Sequence, residues 1–155
     1  YGCEVSPAAL DLAKKRLKEI KKTADLRLQE GKIPYDNDFF DVVISWQVIY
    51  YNDRKGLEFS IKEIKRVLKK EGVFLVTMLH KNDGVVLNHS DEISRNLYRI
   101  NSDIASQGGA VIYVAEGKRH LRGLFRDFTD LCIGRFDYNF VTQRSSHWII
   151  CGKKR

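Results

Sequence analysis

The chain lacks several features that would place it in other classes of protein. No apolar run approaches the length of a membrane-spanning helix, so an integral membrane protein is not predicted. Cysteine is scarce, and Cys3, Cys132 and Cys151 are odd in number and far apart, which does not indicate a disulfide framework. We therefore expect reduced thiols in a cytoplasmic protein.

The sequence also lacks the short motifs of several enzyme classes. It has no Walker loop, no nucleophile elbow and no hydride-transfer fingerprint. Its His, Cys, Asp and Glu residues do not cluster at metal-ligand spacing, so no metal is predicted. The 155 residues are enough for one domain with a sizeable core, and a hydrophobic content of 43% is ordinary for a globular protein.

The net charge of +7 is compatible with an anionic partner. The basic residues concentrate in segments 14–22 and 62–70, where they alternate with apolar residues at helical spacing. This pattern is typical of solvent-exposed helix faces, and no aromatic residues interleave with the charges as single-strand binding requires. Nucleic acid is an alternative partner that the pattern does not favour.

The stretch from residue 39 to residue 78 organises the chain. Residues 42–44 are a β-branched run that predicts a strand buried on both faces. A helical pattern follows over 57–68, Gly72 is predicted to cap that helix, and residues 73–76 begin a second strand. The two strands of such a βαβ unit are parallel, so their carboxyl ends share the edge at which α/β sheets bind ligands.

Polar and aromatic residues follow both strands at that edge. Ser45, Trp46, Tyr50 and Tyr51 follow the first strand, and His80 follows the second. We take this edge as the candidate active site. Tyr50, Tyr51 and His80 are the candidates for positioning a substrate or for acting as a base, and a structural role for His80 stays open.

A second group of candidate residues lies near the start of the chain. Glu4 follows a short strand and precedes Ser6-Pro7, which is a strong helix start. A carboxylate at the end of a strand can accept hydrogen bonds from two ribose hydroxyls, although an exposed turn carboxylate is an equal alternative. Gln29 and Glu30 follow another short strand and are predicted to project at the same edge.

These segments in order resemble the class I S-adenosylmethionine-dependent methyltransferases. The resemblance rests on Glu4, Ile33-Pro34-Tyr35, the run DNDFFDVVIS at 36–45 and the run IKEIKRVLKKEGVFLVTM at 61–78. It implies a Rossmann-like α/β fold with a mostly parallel sheet, helices on both faces and a C-terminal antiparallel strand pair. It also implies S-adenosylmethionine as the methyl donor.

The resemblance further assigns roles to residues of this chain. Glu4 is expected to hold the ribose hydroxyls, and Val5 to pack on the adenine. Gln29 stands where the family often has an Asp facing the adenine amino group. Ser45 and Trp46 are expected to line the methionine part of the cofactor.

The chain departs from the family pattern in three places. The family's glycine-rich loop belongs to a strand and helix preceding Tyr1, so the first strand and helix are absent, and we expect residues 1–155 to be an N-terminally incomplete domain of a longer polypeptide. The absent strand would lie between the Glu4 strand and the 42–44 strand. Lys70-Glu71-Gly72 replaces the usual Pro-Gly-Gly turn, and Tyr50-Tyr51 stand where relatives often have histidines.

The part of the chain after His80 has a weaker pattern. Residues 81–109 are polar and bounded by glycines, and helical spacing predicts one or two helices there. This segment is a candidate lid over the substrate, and a plain surface insertion is the alternative. Beyond it the sequence predicts a strand over 110–115, an amphipathic helix over 120–128 and two final strands over 133–142 and 146–151.

The sequence favours methyl transfer from S-adenosylmethionine to a small-molecule acceptor. Methylation of RNA or another macromolecule is an alternative motivated by the charge of +7. A non-catalytic methyltransferase-like interaction module is a second alternative, motivated by the missing glycine-rich loop. The acceptor atom and the oligomeric state do not follow from the sequence.

Overall fold

The fold was analysed in a computed structural model that describes residues 1–103, 107–140 and 143–155. Within these ranges the chain forms four helices and nine strands. In chain order the elements are β1 (Gly2–Glu4), α1 (Pro7–Glu19), β2 (Leu26–Leu28), β3 (Phe40–Ser45), α2 (Arg54–Val67), β4 (Leu68–His80), α3 (Gly84–Asn88), β5 (Ser90–Ser94), β6 (Leu97–Ile100), β7 (Val111–Ala115), α4 (Lys118–Leu124), β8 (Phe128–Phe140) and β9 (Gln143–Lys154). No helix in these ranges is long and apolar enough to cross a membrane.

The two longer helices begin at side-chain caps. The Ser6 hydroxyl accepts a hydrogen bond from the Ala9 amide, and Pro7 occupies the first turn of α1 as the sequence predicted. The Asp53 carboxylate accepts from the Gly56 amide at 2.8 Å and caps α2. Both helices therefore start directly after the polar segments at the carboxyl ends of β1 and β3.

Strand β4 is the centre of the larger sheet. It pairs in parallel with β3 along its first part and with β7 at its last two residues, and it pairs antiparallel with β9 along its other edge. Strands β8 and β9 form the long C-terminal hairpin that the sequence predicted. Strands β5 and β6 extend the sheet beyond β7, and β1 and β2 form a separate parallel pair.

The core lies between α2, α4 and the centre of the sheet. Phe74 of β4 stacks on Phe125 at 5.3 Å and contacts Phe128 at 4.4 Å between ring centroids. Leu57 and Leu121 are completely buried on the helix faces that pack against this cluster. Each such buried side chain contributes about 1.5–3 kcal/mol to folding, so this cluster fixes β4 firmly beneath the candidate site.

The end of α2 differs from the sequence-based expectation. The helix ends at Val67, and β4 begins at Leu68, so Gly72 does not cap the helix. Gly72 instead lies in an irregularity of the β3–β4 pairing, where a Cβ would come within 2.8 Å of the Lys69 carbonyl oxygen. The glycine is required for close backbone approach rather than for helix termination.

The segment after β4 also differs from the expectation. The helical spacing predicted one or two helices over residues 93–104, but the structure has only the short α3 before an antiparallel β5–β6 pair. Residue 104 of that predicted helix lies outside the described residues. Pairing of β6 with β7 explains the difference, because a strand edge offers backbone hydrogen bonds that an isolated helical pattern does not reveal.

Strand β3 is not buried on both faces as its composition predicted. Val42 and Ile44 are 56% and 66% exposed, since in the described structure β3 pairs with β4 alone. The exposed side chains face a cleft that separates β3 from the β1–β2 pair. The cleft runs along β3 from Phe40 to Ser45, and its end at Val5 and Ser45 lies at the carboxyl ends of β1 and β3.

Candidate functional site

The cleft between β1 and β3 brings together residues from three separate segments. It has a volume of about 520 Å³, within the usual range for small-molecule sites, and Val5, Gln29 and Ser45 line it together with the exposed Val42 and Ile44. Three of the residues predicted to bind the cofactor therefore meet in one cavity. Its wall is mainly apolar, which suits a ligand with a flat ring.

Glu4 ends β1 between Cys3 and Val5, two residues that line the cleft, but it does not itself line the cleft. One carboxylate oxygen, Oε1, accepts a hydrogen bond from the Ser6 amide at 2.9 Å, which fixes the turn into α1. The other oxygen has no protein partner within the described ranges. The side chain is half-buried, so it can still accept hydrogen bonds from a ligand's hydroxyl groups.

The other residues predicted to contact the adenine end of the cofactor differ in exposure and in hydrogen bonding. Val5 is 68% exposed and presents an apolar surface to the cleft. Both ends of the Gln29 amide are engaged within the protein, because Oε1 accepts from the Cys3 thiol at 3.2 Å and Nε2 donates to the Gly31 carbonyl at 3.0 Å. Glu30 is exposed in the following turn.

An aromatic cluster that the sequence did not predict holds the base of the cleft. Tyr1, Tyr35, Phe39 and Phe40 contact one another with ring centroids 4.8–5.8 Å apart. The Tyr35 hydroxyl lies 2.8 Å from the Asp25 carbonyl and 2.9 Å from the Gly2 carbonyl. These contacts tie the β1–β2 pair to the entrance of β3.

A buried ion pair holds the loop between β2 and β3 against α2. Arg66 donates to both oxygens of Glu63 at 2.7–2.8 Å and to the backbone carbonyls of Ile33 and Tyr35. Glu63 also accepts from the Ile33 amide at 2.9 Å. The guanidinium of Arg66 lowers the pKa of Glu63, so the carboxylate is charged at neutral pH.

Trp46 does not line the cleft in the described structure. Its ring stacks on Phe136 of β8, with centroids 5.2 Å apart. Phe136 also stacks on His147 at 5.4 Å, so Trp46 belongs to an aromatic layer above the β8–β9 hairpin. The structure thus separates Trp46 from Ser45, its neighbour in the chain.

Tyr50 and Tyr51 lie together, and Tyr50 joins a buried polar chain. Their rings are 4.7 Å apart, and Tyr50 is only 3% exposed. The Ser145 hydroxyl donates its one hydrogen to Asp83 at 3.2 Å, so it accepts from His147 Nδ1 at 3.3 Å. The Nε2 atom of His147 is then the acceptor for the Tyr50 hydroxyl at 3.2 Å.

Burial sets the protonation state of this chain of groups. Desolvation raises the pKa of Tyr50 well above its ordinary value, and it lowers the pKa of His147 despite the opposing influence of Asp83. The phenol and the imidazole are therefore both neutral at pH 7. The Tyr50 oxygen donates its hydrogen to His147 and keeps lone pairs to accept another hydrogen bond.

His80 is not brought together with the two tyrosines. It lies on the face of the sheet that carries Trp148, with ring centroids 4.8 Å apart, whereas His147 extends from the opposite face of β9. Its Nδ1 accepts from the Asn82 amide at 3.0 Å, and burial lowers its pKa. These contacts are those of a histidine that orders the turn after β4.

The sequence reasoning missed His147, Ser145 and Asp83 as members of a site. Asp83 was read only as a chain breaker before Gly84, and it does cap α3 by accepting from the Val85 amide. Its second oxygen accepts from the Ser146 amide at 2.7 Å, a contact across 63 positions of sequence. No local signal reveals such a contact. Within the described ranges, no three His, Cys, Asp or Glu side chains are placed to hold a metal.

Comparison with known proteins agrees with this architecture. Residues 1–76 match the family model described as "Methyltransferase domain". The ubiquinone biosynthesis O-methyltransferase of Pelagibacter ubique (strain HTCC1062) is 28% identical over 81 residues, covering 52% of this chain and 32% of that protein.

Solved structures extend the likeness to nearly the whole chain. The PH0226 protein of Pyrococcus horikoshii OT3 superposes with a TM-score of 0.73 at 15% identity, covering 99% of this chain and 70% of that one. An S-adenosylmethionine-dependent methyltransferase of Thermotoga maritima, described as a possible histamine N-methyltransferase, superposes with a TM-score of 0.67 at 18% identity. The superposition covers 99% of this chain and 72% of that one. At these identities the likeness shows the fold.

The solved structures share a Rossmann-like α/β fold with this chain, which confirms the predicted fold class. The sequence match covers residues 1–76, just under half of the chain, and agrees with the resemblance to class I S-adenosylmethionine-dependent methyltransferases that the motifs showed. The chain spans about a third of the length of the curated relative that it matches.

Proposed function

We propose that the protein transfers a methyl group from S-adenosylmethionine to a small-molecule acceptor and releases S-adenosylhomocysteine. The observation that carries the proposal is the convergence of Val5, Gln29 and Ser45 on one cleft, with Glu4 next to Val5. The match to the methyltransferase family and the O-methyltransferase relative support the same reaction class.

The residues of the cleft and the neighbouring Glu4 fit the parts of the proposed cofactor. The free oxygen of Glu4 supplies acceptors for the ribose hydroxyls, and the exposed Val5 supplies an apolar surface for the adenine. Ser45 is placed to contact the methionine part, and Glu30 stays a candidate near the adenine. Gln29 must release Cys3 or Gly31 before its amide contacts a ligand.

The sulfonium of the cofactor is an activated methyl donor, so the main tasks of the chain are alignment and exclusion of water. We propose that Tyr50 assists when the acceptor must lose a proton. The acceptor's proton moves to the Tyr50 oxygen as the phenolic hydrogen moves to His147 Nε2, and no free phenolate forms. Tyr51 then orients the acceptor, and His80 supports the turn behind it.

The proposal favours a small acceptor over a macromolecule. The O-methyltransferase relative supports small-molecule chemistry. Methylation of RNA would give activity that falls steeply with salt. A non-catalytic module would bind no cofactor or would bind it without turnover.

The experiment is a screen of pooled small molecules with methyl-labelled S-adenosylmethionine and mass-resolved detection of labelled products. We expect S-adenosylhomocysteine to accumulate together with one labelled product class, and Tyr50→Phe to lower kcat more than it raises KM. Labelling that occurs only with RNA, or no turnover in the presence of bound cofactor, would reject the small-molecule assignment.

A further inference from the structure

A second cavity lies apart from the cleft, at the junction of α2, β6, β7 and α4. Its volume is about 630 Å³, and residues from three separate segments line it. The lining residues are Arg54, Arg95, Asn96, Tyr113, Glu116, Gly117, Arg119 and His120. None of them was predicted as part of a site.

The charges on the cavity wall are unbalanced. Three guanidinium groups and one carboxylate line the cavity, and the Glu58 carboxylate pairs with Arg54 from outside the lining. These five groups have a net formal charge of +1 when His120 is neutral. Burial lowers the pKa of His120, so the imidazole is neutral at pH 7. The surplus lies in an open concavity, with the Arg54 and Arg95 side chains 72% and 83% exposed, so its attraction for an anion is strongest at low salt.

The arginines retain most of their hydrogen-bond donors. Arg54 and Arg95 each use only Nε, donating to Glu58 at 3.0 Å and to Glu116 at 2.9 Å. Their terminal nitrogens make no hydrogen bond, and Arg119 makes none, within the ranges that the structure describes. A guanidinium group whose terminal nitrogens are available presents paired N–H donors that match the oxygens of phosphate or carboxylate.

A buried hydroxyl adds a neutral donor to the same cavity. Nδ1 of His120 accepts from the Glu116 amide at 3.4 Å, which places the ring hydrogen on Nε2. Nε2 lies 2.9 Å from the Tyr113 oxygen and donates to it, so the Tyr113 hydrogen remains for another acceptor. Tyr113 is only 3% exposed, so this hydrogen has an acceptor only if a ligand or water in the cavity supplies one.

We propose that this cavity binds the phosphate group of a small phosphorylated molecule. A phosphate dianion matches the surplus of positive charge, and its oxygens accept from Arg95, Arg119 and the Tyr113 hydroxyl. The cavity is open but confined to one concavity, which favours a small molecule over a nucleic-acid strand, since a strand needs an extended groove. The inference does not rest on the proposed methyl transfer, because it concerns a separate cavity.

The test uses inorganic phosphate and methyl phosphate as probes for the intact protein in low salt. Amide chemical shifts over residues 95–96, 113 and 116–120 are expected to move with phosphate, while those of the cleft at residues 42–45 stay in place. Arg119→Ala and Arg95→Ala are each expected to weaken binding about tenfold, and Tyr113→Phe about threefold.

Arg122→Ala is the matched control, since Arg122 lies on the same helix but does not line the cavity. Its phosphate affinity should equal that of the unchanged protein. The proposal is overturned if Arg122→Ala weakens binding as much as Arg119→Ala, because the attraction is then a general surface effect. It is also overturned if acetate binds as tightly as methyl phosphate, or if a short RNA moves the same resonances at far lower concentration.

Discussion

Replacement of Glu4 by Ala tests the proposed cofactor site at a single carboxylate. In the structure one oxygen holds the Ser6 amide, and the other is free to accept from ribose hydroxyls. Hydrogen bonds to a charged group contribute about 1.5–3 kcal/mol each and are not additive, so two such bonds predict a loss of about 2–4 kcal/mol. The affinity for S-adenosylhomocysteine should therefore fall about 30- to 700-fold.

Calorimetry on the intact protein measures this change, and two further variants separate its causes. Glu4→Gln keeps an oxygen for the Ser6 amide but loses the charge, so it should retain the melting temperature and lose part of the affinity. Glu19→Ala removes an exposed carboxylate at the end of α1 and should change neither the melting temperature nor the affinity for S-adenosylhomocysteine. Unchanged affinity in a folded Glu4→Ala protein would refute the ribose assignment.

Four further predictions address the fold and the site. Arg66→Met should lower the free energy of unfolding by about 1–3 kcal/mol, because it leaves the partly buried Glu63 carboxylate without its charged partner, and denaturant titration measures this. Ile44→Lys should weaken the binding of S-adenosylhomocysteine without lowering the melting temperature, because it puts a charge on the exposed apolar wall of the cleft, and calorimetry measures this. Residues 81–103 and 107–109 should gain hydrogen-exchange protection when cofactor and acceptor bind; equal protection in both states would make the segment an ordinary insertion. Tyr50→Phe should flatten the acid limb of the kcat profile, where protonation of His147 blocks the proton transfer, without unfolding the protein, and an unchanged profile would remove Tyr50 as a proton carrier.

The parts of the fold that follow from local chemistry could be predicted from the sequence. Ser6-Pro7 specified the start of α1 because a hydroxyl cap and a proline at the first turn act within four residues. The β-branched run at 42–44 specified a strand because the preference of Val and Ile for extended backbone is also a local property. Its exposure could not be predicted, since burial depends on which strands lie beside it.

Contacts between distant segments account for what the sequence did not reveal. The spacing of Ile93, Leu97 and Ile100 fits a helix, yet these residues form strands because β7 offers a partner edge. Tyr50 was found as a site candidate from its position after β3, but its partner His147 lies 97 positions away. Periodicity describes one element at a time, so it does not identify such pairs.

The measurement that tests the account most directly is the structure of the protein bound to S-adenosylhomocysteine. We expect the ligand at the carboxyl ends of β1 and β3, with its ribose hydroxyls within hydrogen-bond distance of Glu4, its adenine against Val5 and its homocysteine end beside Ser45. A ligand bound in another cavity, or a cleft that stays empty at saturating ligand, would contradict the proposed function.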